Sequence, residues 1–428
     1  MQKIIIALFF STISLQAWNQ RHVVLISIDG LHPDMYLDST WPAPNLRRLM
    51  REGVYALHMK SVFPAYTYPS HTAMLTGALP ARSGICYNQP KGSHGEWNWF
   101  VDSIRVPTIW KALKMRGLTT AAVEWPCSVS GDITYDIPEI WDVKHPEDRI
   151  TAARNYTTPG LIEAVEQNAT GKLDSNNFKD GSLMLDENAG RMAAYIIEHY
   201  RPAFLALHFA EVDGMEHDFG RDGDSVRLAV ESADRAIGDV LEGITRSGAA
   251  DSTTVLIVGD HGFSDIHTVI RPNVLIQGLP GKFIAAGGSA FLYANGDTTG
   301  LTGKVREKLE AIPAAKRSLF RILDRTTLDQ MGADSAAILA LSAIPGTVFS
   351  GAVKANLDPF GETHGGHHGY DPNDSLLYTG FIAEGAGIRH GGVIQAICVT
   401  DIAPLVATLL GVSFSCPDGQ RVDGILLP

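Results

Sequence analysis

Three short apolar runs constrain this chain more than any other feature: VVLISIDG, ending at Gly30; FLALHFAEVDG, ending at Gly214; and TTVLIVGDHG, ending at Gly262. Each is rich in β-branched and aliphatic residues, lacks the alternation of a half-exposed strand, and stops abruptly in polar residues. That is the pattern of strands buried on both faces of a parallel sheet. Each run delivers an aspartate at its end: Asp29, Asp213 and Asp260. Helical patterns lie between them, in PNLRRLMREG from Pro44, in PTIWKALKMRG from Pro107, and from Asp224 to Gly248, where Val226, Val230, Ala233, Ile237, Leu241 and Ile244 recur at helical spacing. Gly53, Gly117 and Gly248 stand where helix C-terminal glycines are expected. Strands alternating with helices predict an α/β fold with a doubly wound, mostly parallel sheet and helices on both faces. In such folds ligands collect beyond the carboxyl ends of the strands, where the aspartates fall. Stretches near 128–186 and 271–360 break the periodicity and are expected to be cap-like insertions in one catalytic domain covering 18–428.

The opening residues, MQKIIIALFFSTISLQAWNQ, have the layout of a cleaved secretory signal, with removal of 1–17 expected after Ala17. Its apolar core is short for a bilayer span and no later stretch reads as one, so the expectation is an exported protein, periplasmic or extracellular. The formal net charge of -12 argues against a nucleic-acid scaffold, which needs clustered Lys and Arg. It does not argue against hydrolysis of a phosphate, because a local cation outweighs a distant negative surface. Of the cysteines Cys86, Cys127, Cys398 and Cys416, the last two are close in sequence and are the expected disulfide pair.

The aspartates have company. In EVDGMEHDFG, Asp213 and His217 are four apart, so on a helical turn both can face one ion. In VGDHGFSD, Asp260 and His261 directly follow an apolar strand, and a buried strand should not end in two ionisable groups without a partner. ETHGGHHGYDP adds His364, His367 and His368 in a glycine-rich loop. Asp and His ligands from separated places suit zinc, and their number suits two ions. Such a pair would also account for FPAYTYPSHTAMLTG, a stretch rich in hydroxyls with no obvious base to activate one: a metal lowers the pKa of a bound alcohol as it does that of water.

Taken in order, ISIDG, FPAYTYPSHTAMLTG, SGICYN, EVDGMEH, VGDHG and HHGYD resemble the nucleotide pyrophosphatase/phosphodiesterase family of the alkaline phosphatase superfamily. The resemblance runs from Val23 to the closing VTDIAPLVATLLG. It implies an alkaline-phosphatase-like fold and a zinc-dependent hydrolase that cleaves phosphate diester or pyrophosphate bonds through a phosphothreonine intermediate. Its substrate would be a small-molecule phosphate diester or a nucleotide. The family pattern F-P-x-x-T-[FY]-P-x-H places the nucleophile at Thr67, leaving Ser70 and Thr72 as hydroxyls that cap the following helix. One zinc would be held by Asp213, His217 and His368, the other by Asp29, Thr67, Asp260 and His261. His368 is chosen because it immediately precedes GYD. Asn88 matches the asparagine that hydrogen-bonds a phosphate oxygen, and Tyr68 would border the pocket for the leaving group or base. Ala65 and Tyr66 stand where a threonine and a lysine are frequent, and Ser70 where asparagine is common; these departures bear on the substrate rather than the chemistry.

Two alternatives share the same residues. A phosphomonoesterase or phosphonate hydrolase would need extra cationic side chains near the nucleophile, and EWPCSVSGDITYD offers none, which favours diesters. A sulfatase is disfavoured because Thr67 cannot become formylglycine. The alternative from another class is an exported metal-binding protein that has lost catalysis.

Overall fold

The strand VVLISIDG is buried from end to end because the sheet it belongs to separates two hydrophobic cores. In the computed structural model, which describes residues 21–296, 299–354 and 356–428, it forms β1 (His22–Ile28). The expected signal segment 1–17 lies outside the described residues. With β2 (Val54–Lys60), β3 (Thr120–Val123), β4 (Tyr135–Ile137), β5 (Phe204–Phe209) and β6 (Thr253–Val258), β1 belongs to an eight-stranded sheet. Its order is Gly392–Cys398, β2, Phe381–Gly385, β6, β1, β5, β3, β4. Phe381–Gly385 runs antiparallel to both neighbours and every other pairing is parallel. Val24, Ile26 and Ile28 join Leu205, Leu207, Val255 and Ile257 in one core, while Val23 and Leu25 join Phe204, Ala206, Leu256 and Val258 in the other. Period-two alternation is present in space but invisible in sequence, since both faces are apolar.

Helices cover both faces. Met184–Tyr200 and Asp224–Ser247 pack on the first core, and Ile109–Met115, Thr67–Thr76 and Ile402–Leu409 on the second. The first two helices approach closely at Gly243, where a Cβ would lie 2.9 Å from Ala194 Cα. The helix expected from Pro44 spans Pro44–Glu52. The one expected from Pro107 begins two residues later, because Thr108 caps it by accepting from the Lys111 N–H. The long helix ends at Gly248 with φ +73, as its glycine predicted.

The first irregular stretch adds β4 to the sheet edge and buries Ile150, Leu161 and Phe178 in the first core. The second builds an antiparallel sheet in the order Phe320–Leu323, Leu339–Ala343, Ser289–Ala294, Gly281–Ala286. Phe291 of that sheet packs its ring 5.1 Å from Phe63 and 5.6 Å from Tyr87, so the accessory sheet abuts the segments on either side of Thr67. The expected Cys398–Cys416 disulfide is absent, and all four cysteines are free. The Cys398 side chain instead accepts from a backbone N–H to cap the turn Val399–Asp401, while Cys416 packs against Gly77. Among the described residues no helix is long and apolar enough to cross a membrane.

Candidate metal centre

β1 and β6 lie side by side, and each hands its next residues to the same spot. Asp29 follows β1, its N–H bonded to Phe209 O at 2.8 Å. Asp260 follows β6, and its Oδ1 accepts the Gly30 N–H at 3.1 Å. Gly30 has φ +76 and a Cβ there would lie 2.3 Å from Glu216 Oε2, so only glycine fits the turn. Between the carboxylates sits His261, its Nε2 3.1 Å from Asp29 Oδ1 and 3.0 Å from Asp260 Oδ2.

Asp213 arrives differently from expectation. β5 stops at Phe209, and the helix Glu211–Phe219 carries both Asp213 and His217 on one face. Asp213 Oδ2 lies 3.4 Å from His217 Nε2, and Asp213 Oδ1 lies 3.6 Å from His368 Nε2 and 3.8 Å from His261 Nε2. The His261 and His368 rings stack with centroids 3.7 Å apart. Asp29, Asp260 and His261 thus form one potential ligand group and Asp213, His261 and His368 another; His217, His367 and His368 form a third. The two groups expected from sequence meet in one place, while His364 belongs to none of the three.

The histidines are oriented from behind. His368 Nδ1 is 3.0 Å from Ala65 O and His217 Nδ1 is 3.2 Å from Gly366 O, so each ring donates away from the centre and turns Nε2 toward the carboxylates. The centre fits cations on its own evidence: Asp29 Oδ1, Asp213 Oδ1, Asp260 Oδ2 and His261 Nε2 are buried and lack a hydrogen-bond partner. Buried acceptors in that state are costly unless an ion satisfies them. With no cation, burial pushes Asp29, Asp213 and Asp260 each up to about 7. Burial also holds His368 well below the usual imidazole range, so it is neutral and able to ligate.

Thr67 is the first residue of the helix Thr67–Thr76, preceded by Tyr66 in extended conformation. Burial dominates the titration of the Asp29 carboxyl, and the Thr67 hydroxyl is among the neighbours that oppose it, which places Thr67 beside the centre. Pro69 is tolerated in the first turn, where its missing N–H would have had no intrahelical partner. The helix ends at Gly77 in the left-handed region and is buried on every side. Ser70 and Thr72 lie inside it and do not cap it: Ser70 Oγ pairs with Ser61 Oγ at 2.8 Å, and Thr72 faces Cys127. Asn88 Oδ1 accepts the Tyr68 N–H at 3.0 Å, leaving its amide Nδ2 free to donate.

Beside the centre opens a cavity of about 540 Å³ lined by Tyr66, Tyr87, Asn88, Trp97, Lys282, His217, His367 and His368, among others. Tyr68 does not line it. That ring is fully buried against Trp97 and Trp99, so the position expected for a substrate-facing aromatic belongs to Tyr66, one residue earlier. Sequence reading also passed over His71 and His208. His71 Nδ1 bonds Thr67 O at 2.8 Å. His208, inside β5, spans from Glu124 O at 3.1 Å to Asp29 Oδ2 at 3.1 Å. A histidine within an otherwise apolar buried run was the available signal for His208.

Residues 23–371 match the model of the type I phosphodiesterase/nucleotide pyrophosphatase family. Venom phosphodiesterase 2 of Crotalus adamanteus is 26% identical over 259 residues, 58% of this chain but 28% of that protein. The chain therefore spans about a quarter of the length of that relative. Ectonucleotide pyrophosphatase/phosphodiesterase family member 7 of Rattus norvegicus is 22% identical over 96% of this chain and 88% of its own. Among solved structures, human ectonucleotide pyrophosphatase/phosphodiesterase 5 superposes with a TM-score of 0.69 at 18% identity, covering 94% of this chain and 97% of its own, which shows the shared fold. The murine protein, solved as an inactive variant in complex with AMP, superposes equally well, with a TM-score of 0.69 at 18% identity over 94% of this chain and 98% of its own. With the ordered strand ends, the Asp/His centre and the match over most of its length, the chain belongs to the type I phosphodiesterase/nucleotide pyrophosphatase family.

Proposed function

We propose that this protein is an exported hydrolase of phosphate diester or pyrophosphate bonds in small nucleotide-like substrates, with Thr67 as nucleophile. The observation that carries the reading is the cluster of buried ligand atoms without partners, Asp29 Oδ1, Asp213 Oδ1, Asp260 Oδ2 and His261 Nε2, with Thr67 beside Asp29 at the start of a helix. Asp29, Asp260, His261 and Thr67 would hold one zinc, and Asp213, His217 and His368 the other. When bound, the two ions would lower the pKa of the threonine hydroxyl and neutralise charge on phosphate oxygens.

The chain's own residues set the geometry. Thr67 sits at a helix N-terminus, where backbone N–H groups and the helix dipole favour a developing anion. Its Oγ, having given its proton to solvent, attacks phosphorus in line: the Thr67 Oγ–phosphorus bond forms while the bond to the leaving alcohol or nucleotide breaks, and the leaving oxygen takes up a proton from solvent. Water then cleaves the phosphothreonine ester and restores the hydroxyl. Asn88, fixed through Oδ1, presents its amide N–H to an equatorial oxygen where charge grows. Tyr66, Tyr87 and Trp97 offer aromatic faces for a base or other leaving group. The accessory sheet, through Lys282, Ile284 and Ala285, closes one side of that cavity and so belongs functionally with the catalytic unit.

Zinc-loaded wild type should hydrolyse bis-p-nitrophenyl phosphate faster than p-nitrophenyl phosphate, and Thr67→Ala should abolish turnover while retaining zinc. Undiminished turnover by Thr67→Ala rejects Thr67 as nucleophile. Equal, barely detectable rates of wild type on both substrates reject the diesterase reading in favour of a metal-binding protein without catalysis.

A further inference from the structure

His367 is not among the residues assigned to either zinc, although it groups with the assigned ligands His217 and His368, and it stands on the wall of the same cavity as Asn88. It lies on the short strand Gly366–His367, which pairs antiparallel with Ser264 and Asp265. Its Nδ1 accepts the backbone N–H of His368 at 3.0 Å. With Nδ1 occupied as an acceptor, the neutral ring carries its proton on Nε2. The Nδ1 side is packed against Gly287, where a Cβ would lie 2.8 Å from Nδ1 and 3.0 Å from Cε1. The ring also meets His217 edge-on, with centroids 4.8 Å apart at 89°. It is therefore held in one orientation by its own backbone, a glycine and a neighbouring ring. Among the described residues, Nε2 has no hydrogen-bond partner.

We propose that His367 is a second phosphate-binding donor, whose Nε2–H hydrogen-bonds an oxygen of the phosphate ester bound beside Asn88. The inference rests on the diester-hydrolase reading and deepens it by giving the site two neutral donors on separate segments, one on the loop after SGIC and one on the strand before GYD. A neutral donor held rigidly beside a developing charge needs no reorganisation as that charge grows. It also adds no positive charge to a site that is to hold two divalent ions.

The test uses zinc-loaded full-length protein in three forms: wild type, His367→Phe, which keeps a ring but removes the donor, and His367→Gln, which restores an amide N–H of similar reach. Readouts are kcat/KM on bis-p-nitrophenyl phosphate, the inhibition constant of inorganic phosphate, and zinc per chain. His367→Phe should keep the wild-type zinc content, lose ~10–100-fold in kcat/KM, and bind phosphate ~10-fold more weakly, with His367→Gln recovering part of both. Wild-type values in His367→Phe overturn the proposal. So does loss of zinc in proportion to loss of activity, which would make His367 a metal ligand. If wild type lacks diesterase activity, the functional reading fails by itself, and calorimetric binding of inorganic phosphate to the same variants still decides the role of His367.

Discussion

Zinc affinity should climb steeply with pH and level off just above neutrality. In the metal-free protein, burial raises Asp29, Asp213 and Asp260 to about 7, and repulsion from neighbouring carboxylates adds to the effect at Asp213 and Asp260. His368 is held neutral by burial and has no proton to give up. A cation entering the centre must therefore displace carboxyl protons below pH 7 and none well above it. At pH 6, one unit below that value, about one carboxylate in eleven is ionised; at pH 8 about ten in eleven are. Each carboxylate required in its ionised form then weakens binding by roughly 10-fold between pH 8 and pH 6, about 1.4 kcal/mol, and three together by about 10³. Ordinary carboxylates titrating near pH 4 would give no change over this range. Chelator competition at pH 6, 7 and 8 measures the affinity, and calorimetry in buffers of different ionisation enthalpy counts the protons released. About two to three should leave per fully loaded chain at pH 6 and almost none at pH 8. An affinity that is flat from pH 6 to 8, or that falls as pH rises, would refute the reasoning.

Other outcomes follow from the same geometry. Asn88→Ala should lower kcat ~10²–10³-fold on bis-p-nitrophenyl phosphate with KM changed much less, since the donor acts where charge develops; a change confined to KM would contradict that role. His208→Ala removes the ring braced between Glu124 O and Asp29 Oδ2, and zinc affinity should fall ~10–100-fold. Gly30→Ala forces a side chain at φ +76 into Glu216 and should cost at least ~1 kcal/mol in urea unfolding, with no measurable cost counting against the close approach. Arg149 is fully buried, with Glu139 at 3.0 Å and Glu124 at 3.5 Å, so Arg149→Ala strands two carboxylates and should cost about 3–5 kcal/mol, whereas a loss under about 1 kcal/mol would show them satisfied by other means.

The central strands were legible because residues such as Val24 and Leu25 meet different cores and both must be apolar, which writes an uninterrupted run into the sequence. Asp29 follows β1 directly and Asp260 follows β6 after Gly259 alone, so reading the strand located the ligand. Asp213 was harder: nothing in HFAEVDG marks where β5 stops and the helix begins, and the aspartate proves to be helical. Tyr68 was misjudged because its neighbour in the chain, Thr67, faces the centre, and successive helical residues point about 100° apart. The helix Thr67–Thr76 gave no amphipathic signal because tertiary contacts enclose its hydroxyls and its single histidine on all sides. His208, His71 and His367 lie against neighbours distant in sequence, Glu124, Asp260 and Gly287 among them, and such pairings exist only once the chain has folded.

A helix enclosed all round has no free direction in which to tilt or slide. On the proposed reading, the attacking oxygen at its tip is consequently a fixed point, to which each substrate must be fitted by something else. The adjustable parts are the loop through Asn88 to Trp97 and the rim of the accessory sheet at Lys282. Changing which leaving groups are accepted is then a matter of rewriting those borders, while the reaction centre can stay as it is.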